Sequence, residues 1–122
     1  MTYATRNDLL NAPPQRRFAD VTIHGRNFRL RSLMAGEANR ITCRHLAAED
    51  EDARASALSS LPARYIVQCV VDADGNRIFS DTDVVTILDT WDAAFTADLA
   101  AACQKHCGAM EDAEKNSAAT PS

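Results

Sequence analysis

The first structured part of the chain alternates apolar and polar residues. In the stretch FADVTIHGRNFRLRSL, apolar side chains occupy every second position on either side of a turn at 24–27. These are Val21, Ile23, Phe28 and Leu30. Arg29 and Arg31 fall on the opposite face, where we expect them to contact water and to discourage pairing with another strand. The alternation predicts a β-hairpin with one buried face.

The apolar spacing becomes helical after Ser32, a residue type that often caps helices. One face of the stretch LMAGEANRITCRHLAAED is largely apolar. It is made by Met34, Ala38, Ile41, His45 and Ala48. The acidic run that follows, AAEDEDARAS, is interpreted as a solvated connection between two helices.

A second helix is predicted in SSLPARYIVQCVV. Pro62 falls in its first turn, where a missing N–H removes no helical hydrogen bond. Ile66, Cys69 and Val70 then lie at helical spacing and are expected to face the core. We expect this helix to be the centre of the domain.

Two further helices are predicted in the second half of the chain. Ser80, followed by Asp83 three residues later, is typical of a helix start with reciprocal capping. The first helix has an apolar face made by Val84, Ile87, Leu88 and Trp91. The second begins at about Asp92 and aligns Phe95, Leu99, Ala102, Cys103, His106 and Met110 on one side. We expect Trp91 and Phe95 to be core residues.

These elements predict an α+β fold that is mainly α, with an N-terminal β-hairpin followed by about four helices. A chain of 122 residues is expected to form one domain. Pro13 and Pro14 interrupt any helix before the hairpin, so residues 1–17 are predicted to be an N-terminal arm. Residues 18–107 form the predicted globular domain. Beyond them the periodicity is lost, which predicts a flexible, disordered tail over 108–122.

The composition is typical of a soluble globular protein. Hydrophobic residues make up 46% of the chain and charged residues 25%, and no apolar run approaches the length of a membrane span. The N-terminal stretch lacks the basic start and the apolar core of a secretory leader. We therefore expect no membrane association and an intracellular location.

The net charge of −4 is unevenly distributed. Residues 1–45 contain eight arginines and three acids, whereas residues 46–122 contain five basic residues and fourteen acids. A nucleic-acid-binding face would have to use Arg16, Arg17, Arg29 and Arg31. These arginines form no dense run and are not interleaved with aromatic residues, so we expect no nucleic-acid partner. Attraction between the two halves, within one subunit or between subunits, explains the asymmetry better.

The stretch DADGNRIFSDTD, residues 72–83, resembles a calcium-binding loop. The candidate ligands at positions 1, 3, 5 and 12 of such a loop are Asp72, Asp74, Asn76 and Asp83. Position 6, however, is Arg77 where that loop requires glycine, and position 12 is a short Asp instead of a bidentate Glu. A tight turn at Asp74 and Gly75 explains the same residues, and we favour it. A small calcium-binding module is the alternative function.

Cysteine and histidine residues give a second candidate metal site, for zinc. The sequence places Cys43 and His45 in one predicted helix, and Cys103, His106 and Cys107 in another. Their spacing matches none of the common zinc signatures, so reduced, mostly buried thiols are favoured. The sequence also lacks the motifs of serine hydrolases, phosphate-binding loops and zinc proteases. We expect no metal, no cofactor and no enzymatic activity.

Three stretches, taken in order, resemble the tail assembly chaperones of long-tailed, siphovirus-like bacteriophages and prophages. They are VTIHGRNFRLRSLMAGEANRI at the hairpin, ARYIVQCVVDADGNRIFSDTDVVTIL around the central helix and its turn, and EDAEKN near the C-terminus. The resemblance covers about residues 18–116. It implies a mostly α-helical protein with a small β element and no enzymatic activity.

The resemblance also implies a function. Proteins of this family bind the tape-measure protein during tail assembly and keep that long helical chain in solution until tail-tube subunits replace the chaperone. The expected partners are therefore the tape-measure protein and tail-tube subunits, in the cytoplasm of the host bacterium. A homo-oligomer is expected, because several weak contacts along one long partner act together.

The sequence suggests the last helix as the surface that binds the partner. The candidate residues are Leu99, Cys103, His106 and Met110. An apolar stripe at helical spacing is equally typical of a helix that packs into a core. Both interpretations remain open at the level of the sequence.

Overall fold

The structure, a computed structural model, describes residues 2–43 and 47–107. Six α-helices and one three-stranded antiparallel sheet lie in these residues. Their order is α1 (Arg6–Asn11), β1 (Phe18–Ile23), β2 (Arg26–Arg31), α2 (Ala35–Thr42), α3 (Glu51–Ser59), α4 (Leu61–Cys69), β3 (Val70–Val71), α5 (Asp83–Thr90) and α6 (Ala93–Cys107). The predicted fold class, α+β and mainly helical, is confirmed. The predicted tail at 108–122 lies outside the described residues.

The β-hairpin is confirmed, with a turn that is shorter than the predicted 24–27 because Arg26 and Asn27 already belong to β2. Val21 lies opposite Phe28, as expected if both belong to the buried face. The connection is made by His24 and Gly25, whose φ angles of 49° and 79° are both positive. Tight two-residue hairpin turns require such angles because they match the twist of the strands.

The third strand was not predicted, because Val70 was interpreted as part of the central helix. α4 ends at Cys69, and Val70 and Val71 pair with Leu30 and Arg29 of β2. Both valines are almost fully buried. β-Branched residues favour strands. The free edge of β2 supplies hydrogen-bond partners for the backbone of the two valines, so they extend the sheet instead of the helix.

The acidic run is exposed to solvent, as predicted, but most of it forms a helix instead of a connection between helices. Asp50 caps α3, since its Oδ1 accepts a hydrogen bond of 2.7 Å from the backbone N–H of Ala53. Glu51 and Asp52 occupy the first turn, where the helix dipole favours negative charge. No residue of α3 is buried. With α1, this helix makes the count six instead of the expected four.

α4 lies at the centre of the core, as predicted. Its buried side chains are Ala63, Ile66, Val67 and Cys69. α6 supplies Leu99, Ala100 and Cys103, α5 supplies Val84 and Ile87, and β2 supplies Leu30. The sheet and these three helices therefore bury one shared apolar cluster.

The expectation that Arg31 contacts water was wrong. Its side chain is only 9% exposed, and its Nε donates a 2.6 Å hydrogen bond to the carbonyl of Gln68. Arg77 acts similarly, with a 2.8 Å bond from its Nε to the carbonyl of Val67. Both carbonyls belong to the last turn of α4, where helical partners are missing and positive charge is favourable. The two arginines therefore cap the C-terminus of α4.

Glu37 of α2 connects the segment before β1 to Arg31, which caps the C-terminus of α4. Arg16 forms a bidentate ion pair with it, at 2.8 and 2.9 Å, and Arg31 approaches it at 3.3 Å. Glu37 Oε1 also accepts a hydrogen bond from the N–H of Met34 at the start of α2. The hydrogen bonds from Arg16 are the main reason that the pKa of Glu37 falls to about 2.

Candidate functional site

The structure places the predicted partner-binding residues of α6 in different environments. Leu99 and Cys103 are fully buried and belong to the core. His106 is partly buried, and its Nε2 lies 3.0 Å from the carbonyl oxygen of Arg17. Met110 lies outside the described residues. The core interpretation therefore holds for Leu99 and Cys103, and these two side chains offer no surface to a partner.

The 72–83 stretch begins with a closed turn. Asp72 Oδ1 accepts hydrogen bonds from the backbone N–H groups of Asp74, at 2.9 Å, and Asn76, at 3.0 Å. The N–H of Asp72 donates to the carbonyl of Asn76 at 2.8 Å. Gly75 has a φ of 87°, which a residue with a Cβ adopts only under strain. The aspartate that would be the first calcium ligand thus organises the turn itself.

The other candidate residues of that loop also have structural partners. Arg77, at the position where a calcium loop needs glycine, pairs with Asp81 at 2.8 Å. Asp83 Oδ2 accepts a 2.8 Å hydrogen bond from the N–H of Ser80, which is one of the two capping contacts expected from the sequence, but α5 begins later than expected, with Thr82 as its N-cap. Within 2–43 and 47–107, no group of three or more His, Cys, Asp or Glu side chains is arranged to hold a metal ion.

The turn packs on the outer face of the sheet. A Cβ added to Gly75 would lie 3.2 Å from the ring of Phe18. The guanidinium of Arg29 lies 5.1 Å from the centre of the same ring, and its Nε is buried with no hydrogen-bond partner among the described residues. Arg16, Arg29 and Arg31 are therefore used within the fold, which argues against the nucleic-acid-binding face considered from the sequence.

All four cysteines are free thiols, and Cys69, Cys103 and Cys107 lie together in the core region. The sulfur atoms of Cys69 and Cys107 are 3.2 Å apart. A hydrogen bond with Cys103, together with burial, raises the pKa of the Cys69 thiol above its ordinary value. Cys43 is exposed, and His45 lies outside the described residues. Neutral thiols of this kind pack as small apolar side chains.

An open apolar groove lies between α3 and α5, with a volume of about 440 Å³. Its lining includes Ala53 and Ala57 of α3 and Val84, Val85 and Leu88 of α5. Leu88 was predicted to face inward, but its side chain is 46% exposed and Val85 is 65% exposed. α5 buries Val84 and Ile87 instead, so its second apolar face is left in water.

The two helices that wall this groove carry more acidic than basic residues. α3 and α5 together contain four carboxylates, those of Glu51, Asp52, Asp83 and Asp89, and one arginine, Arg54. Among the described residues that line the groove, the charged one is Arg64, which donates a hydrogen bond from its Nε to Ser60 Oγ. The apolar lining therefore lies between two helices whose net charge is negative. The groove was not predicted from the sequence because α3 was not recognised as a helix.

A second cavity, of about 580 Å³, lies at the turn end of the hairpin. Phe95 is at its centre, with ring centroids 5.5 Å from Trp91 and 5.4 Å from His24. His24 Nε2 is also 2.6 Å from the carboxylate of Asp98, and the guanidinium of Arg26 lies over the Phe95 ring. Phe95 and Trp91 pack against the core, as expected, although both keep some exposure.

Helix length and hydropathy give a further result. No helix in the described part of the chain is long and apolar enough to cross a membrane. The longest, α6, has 15 residues and includes polar and charged side chains.

Comparison with known proteins gives one informative similarity. The fold is similar to that of the tail assembly chaperone of bacteriophage HK97, with a TM-score of 0.53 and 14% sequence identity. The similarity covers 73% of this chain and 84% of the HK97 chain. No protein-family model and no curated protein matches the sequence. The resemblance found in the sequence is thus confirmed at the level of the fold.

Proposed function

We propose that this protein is a tail assembly chaperone of a long-tailed bacteriophage or prophage. The observation that carries the proposal is the fold similarity to the HK97 tail assembly chaperone, which covers most of both chains. The three sequence stretches that resemble the same family are in agreement with it. The protein acts by binding, without catalysis, in the cytoplasm of the host bacterium.

The proposed partner is the tape-measure protein, which is bound until tail-tube subunits take the place of the chaperone. Apolar side chains that remain in water support this role, among them Leu58, Val85 and Leu88. A long helical chain with apolar stripes needs complementary apolar patches to stay in solution. Several copies of the chaperone, bound side by side, reach sufficient total affinity from individually weak contacts that are easily displaced.

The alternative, a calcium-binding module, has less support. Asp72 is engaged by backbone N–H groups, and a cation would have to compete with these hydrogen bonds. Arg77 would also place a positive charge close to the ion. A calcium titration that raises the melting temperature in proportion to the logarithm of ion concentration would restore this alternative.

Co-expression tests the proposal directly. The protein is produced together with the tape-measure protein encoded beside its gene, and the soluble fraction of the long protein is measured with and without it. We expect solubilisation and co-elution of the two proteins in size-exclusion chromatography. An unrelated acidic helical protein of similar size is the control. If the long protein stays insoluble and nothing co-elutes, the proposed function is wrong.

A further inference from the structure

We infer that the groove between α3 and α5 binds a helix whose apolar stripe is flanked by lysine and arginine. The inference rests on the proposed function, because it identifies the surface with which the chaperone holds its partner. The occupant is a segment of a tail protein and not a second copy of this chain. Four observations lead to this assignment.

The first observation is the exposure of large apolar side chains along the groove. Val85 and Leu88 lie one turn apart on α5 and are 65% and 46% exposed. On the opposite wall, α3 lines the groove with the small apolar side chains of Ala53 and Ala57. The buried face of α5 is formed by Val84 and Ile87, so the fold does not need the other two side chains for its core. Apolar surface concentrated in this way marks an interaction site.

The second observation is that α3 buries none of its side chains. It has nine residues, and an isolated helix of that length is marginal in water. The cap at Asp50 stabilises the start of α3. The helix makes few contacts with the rest of the protein, so packing adds little to its stability. A partner helix in the groove would cover Ala53 and Ala57 and give α3 the apolar contact that it lacks.

The third observation is the charge around the groove. Asp52 lies one turn before Ser56, which lines the groove, and Asp89 lies one turn after Val85. The two walls contain four carboxylates in total, those of Glu51, Asp52, Asp83 and Asp89, against Arg54 and the groove-lining Arg64. A helix with basic flanks is attracted to such edges. A second copy of this chain docked groove to groove would bring the same acidic α3 and α5 and would be repelled.

The fourth observation is that the second cavity and the apolar stripe of α6 already have partners within the fold. In the cavity at the hairpin turn, Phe95 contacts Trp91, His24 and Phe28 and is covered by Arg26. The stripe of α6 is largely in the core. Among the described residues, the α3–α5 groove therefore combines exposed large apolar side chains with an acidic border.

Two synthetic peptides of about 18 residues test the inference. Both carry leucines at helical spacing; one has lysines beside the stripe, and the other has glutamates. Binding to the intact protein is measured by fluorescence anisotropy, and the site is located from NMR shifts of backbone amides. We expect the lysine peptide to bind about tenfold more tightly than the glutamate peptide, with a preference that weakens as salt is added. The shifted amides should lie in α3 and α5.

Variants of exposed residues link this binding to the groove. Val85→Ser combined with Leu88→Ser should weaken the lysine peptide about tenfold, because the apolar contact is lost. Ile78→Ser is the matched control, since Ile78 is 51% exposed and does not line the groove. Asp52→Lys combined with Asp89→Lys should reduce or reverse the preference for basic flanks. Circular dichroism confirms that each variant is folded before binding is compared.

The results separate this inference from the proposed function. If the double serine variant binds the lysine peptide as well as the wild type does, or if the glutamate peptide binds equally well, the groove assignment is wrong. If the tape-measure protein stays insoluble while the lysine peptide still binds the groove, the proposed function fails and the groove assignment stands. If the double serine variant solubilises the tape-measure protein fully, the function stands and its surface lies elsewhere.

Discussion

α6 and α3 are both rich in alanine and lie in the acidic part of the chain, yet the fold uses them differently. α6 buries Leu99, Ala100 and Cys103 against α4 and the sheet. α3 buries nothing, and its one large apolar residue, Leu58, is 46% exposed. α6 is thus part of the core, whereas α3 is a helix at its edge. The difference shows that the core is built by α6 and leaves the side chains of α3 exposed.

The largest difference in stability between α6 and α3 is expected when one leucine of each helix is truncated to alanine. Leu99→Ala should lower the free energy of unfolding by about 3–5 kcal/mol, because it leaves a cavity in a fully packed site. Leu58→Ala should change it by less than about 0.5 kcal/mol, because the side chain is half in water. Urea denaturation of both variants measures the two values. Equal losses would mean that α3 belongs to the core after all.

The next largest loss of stability is expected at Glu37, which forms ion pairs with Arg16 and Arg31. Glu37→Gln should lower stability by about 2 kcal/mol, because it leaves Arg31 and Arg16 without their carboxylate. Glu51→Gln, in the exposed first turn of α3, is the matched control and should change stability by less than about 0.5 kcal/mol. Thermal denaturation at neutral pH compares them. A loss at Glu51 as large as that at Glu37 would contradict the comparison.

The same ion pair predicts how stability depends on pH. The pKa of Glu37 is lowered from its ordinary value of 4.5 to about 2 in the folded protein, so its stabilising contribution is complete above pH 4.5. It is lost as the pH falls from 4.5 towards 2, since the unfolded chain takes up the proton first. Unfolding of the wild type and of Glu37→Gln, measured between pH 6 and 2.5, should therefore converge at the acid end. Parallel curves would contradict this expectation.

Gly75 is expected to have a smaller effect. Gly75→Ala should cost about 1–2 kcal/mol, because alanine is strained at a φ of 87° and its Cβ would press on Phe18. Gly36→Ala is the control, since that glycine has open space around it and no positive φ. Chemical denaturation of both variants tests the turn. If both are equally stable, the packing of the turn on Phe18 contributes little.

The smallest global effect is expected at the cap of α3. Asp50→Ala removes the hydrogen bond to the N–H of Ala53 and should destabilise the helix locally by about 1 kcal/mol. The global stability should hardly change, because α3 buries no side chain. Hydrogen exchange of the α3 amides, compared with those of α6, separates the two effects. If the α6 amides also exchange faster in this variant, the two helices are coupled and the contrast between them is wrong.

Much of the fold could be predicted because its signals are local. The hairpin follows from alternation and from the turn at Gly25, and α4 follows from Pro62 and the apolar spacing after it. α3 was missed because its acids were interpreted as a solvated run, although Asp50 and the two acids after it are typical of a helix start. β3 could not be predicted from two valines alone, since its partner strand is distant in sequence.

The site was less predictable than the fold. Leu99 and Cys103 were chosen because they form an apolar stripe, but the same spacing serves a core helix and a binding helix equally well. The exposure of Val85 and Leu88 on α5 was not predicted, because Leu88 was assigned to the buried face of the helix. No periodicity shows which of two apolar faces a helix will bury when both are available, and the choice depends on which neighbouring element covers the helix.

The sequence by itself determined the order and type of most elements, the buried face of the hairpin and the Asp–Gly turn, because these depend on residues close together in the chain. Only the tertiary structure decided that Arg31 caps α4, that Val70 joins the sheet and that α6 belongs to the core. It also decided that Val85 and Leu88 stay in water. Burial is a property of what packs against a residue, and that neighbour is set by contacts between distant segments.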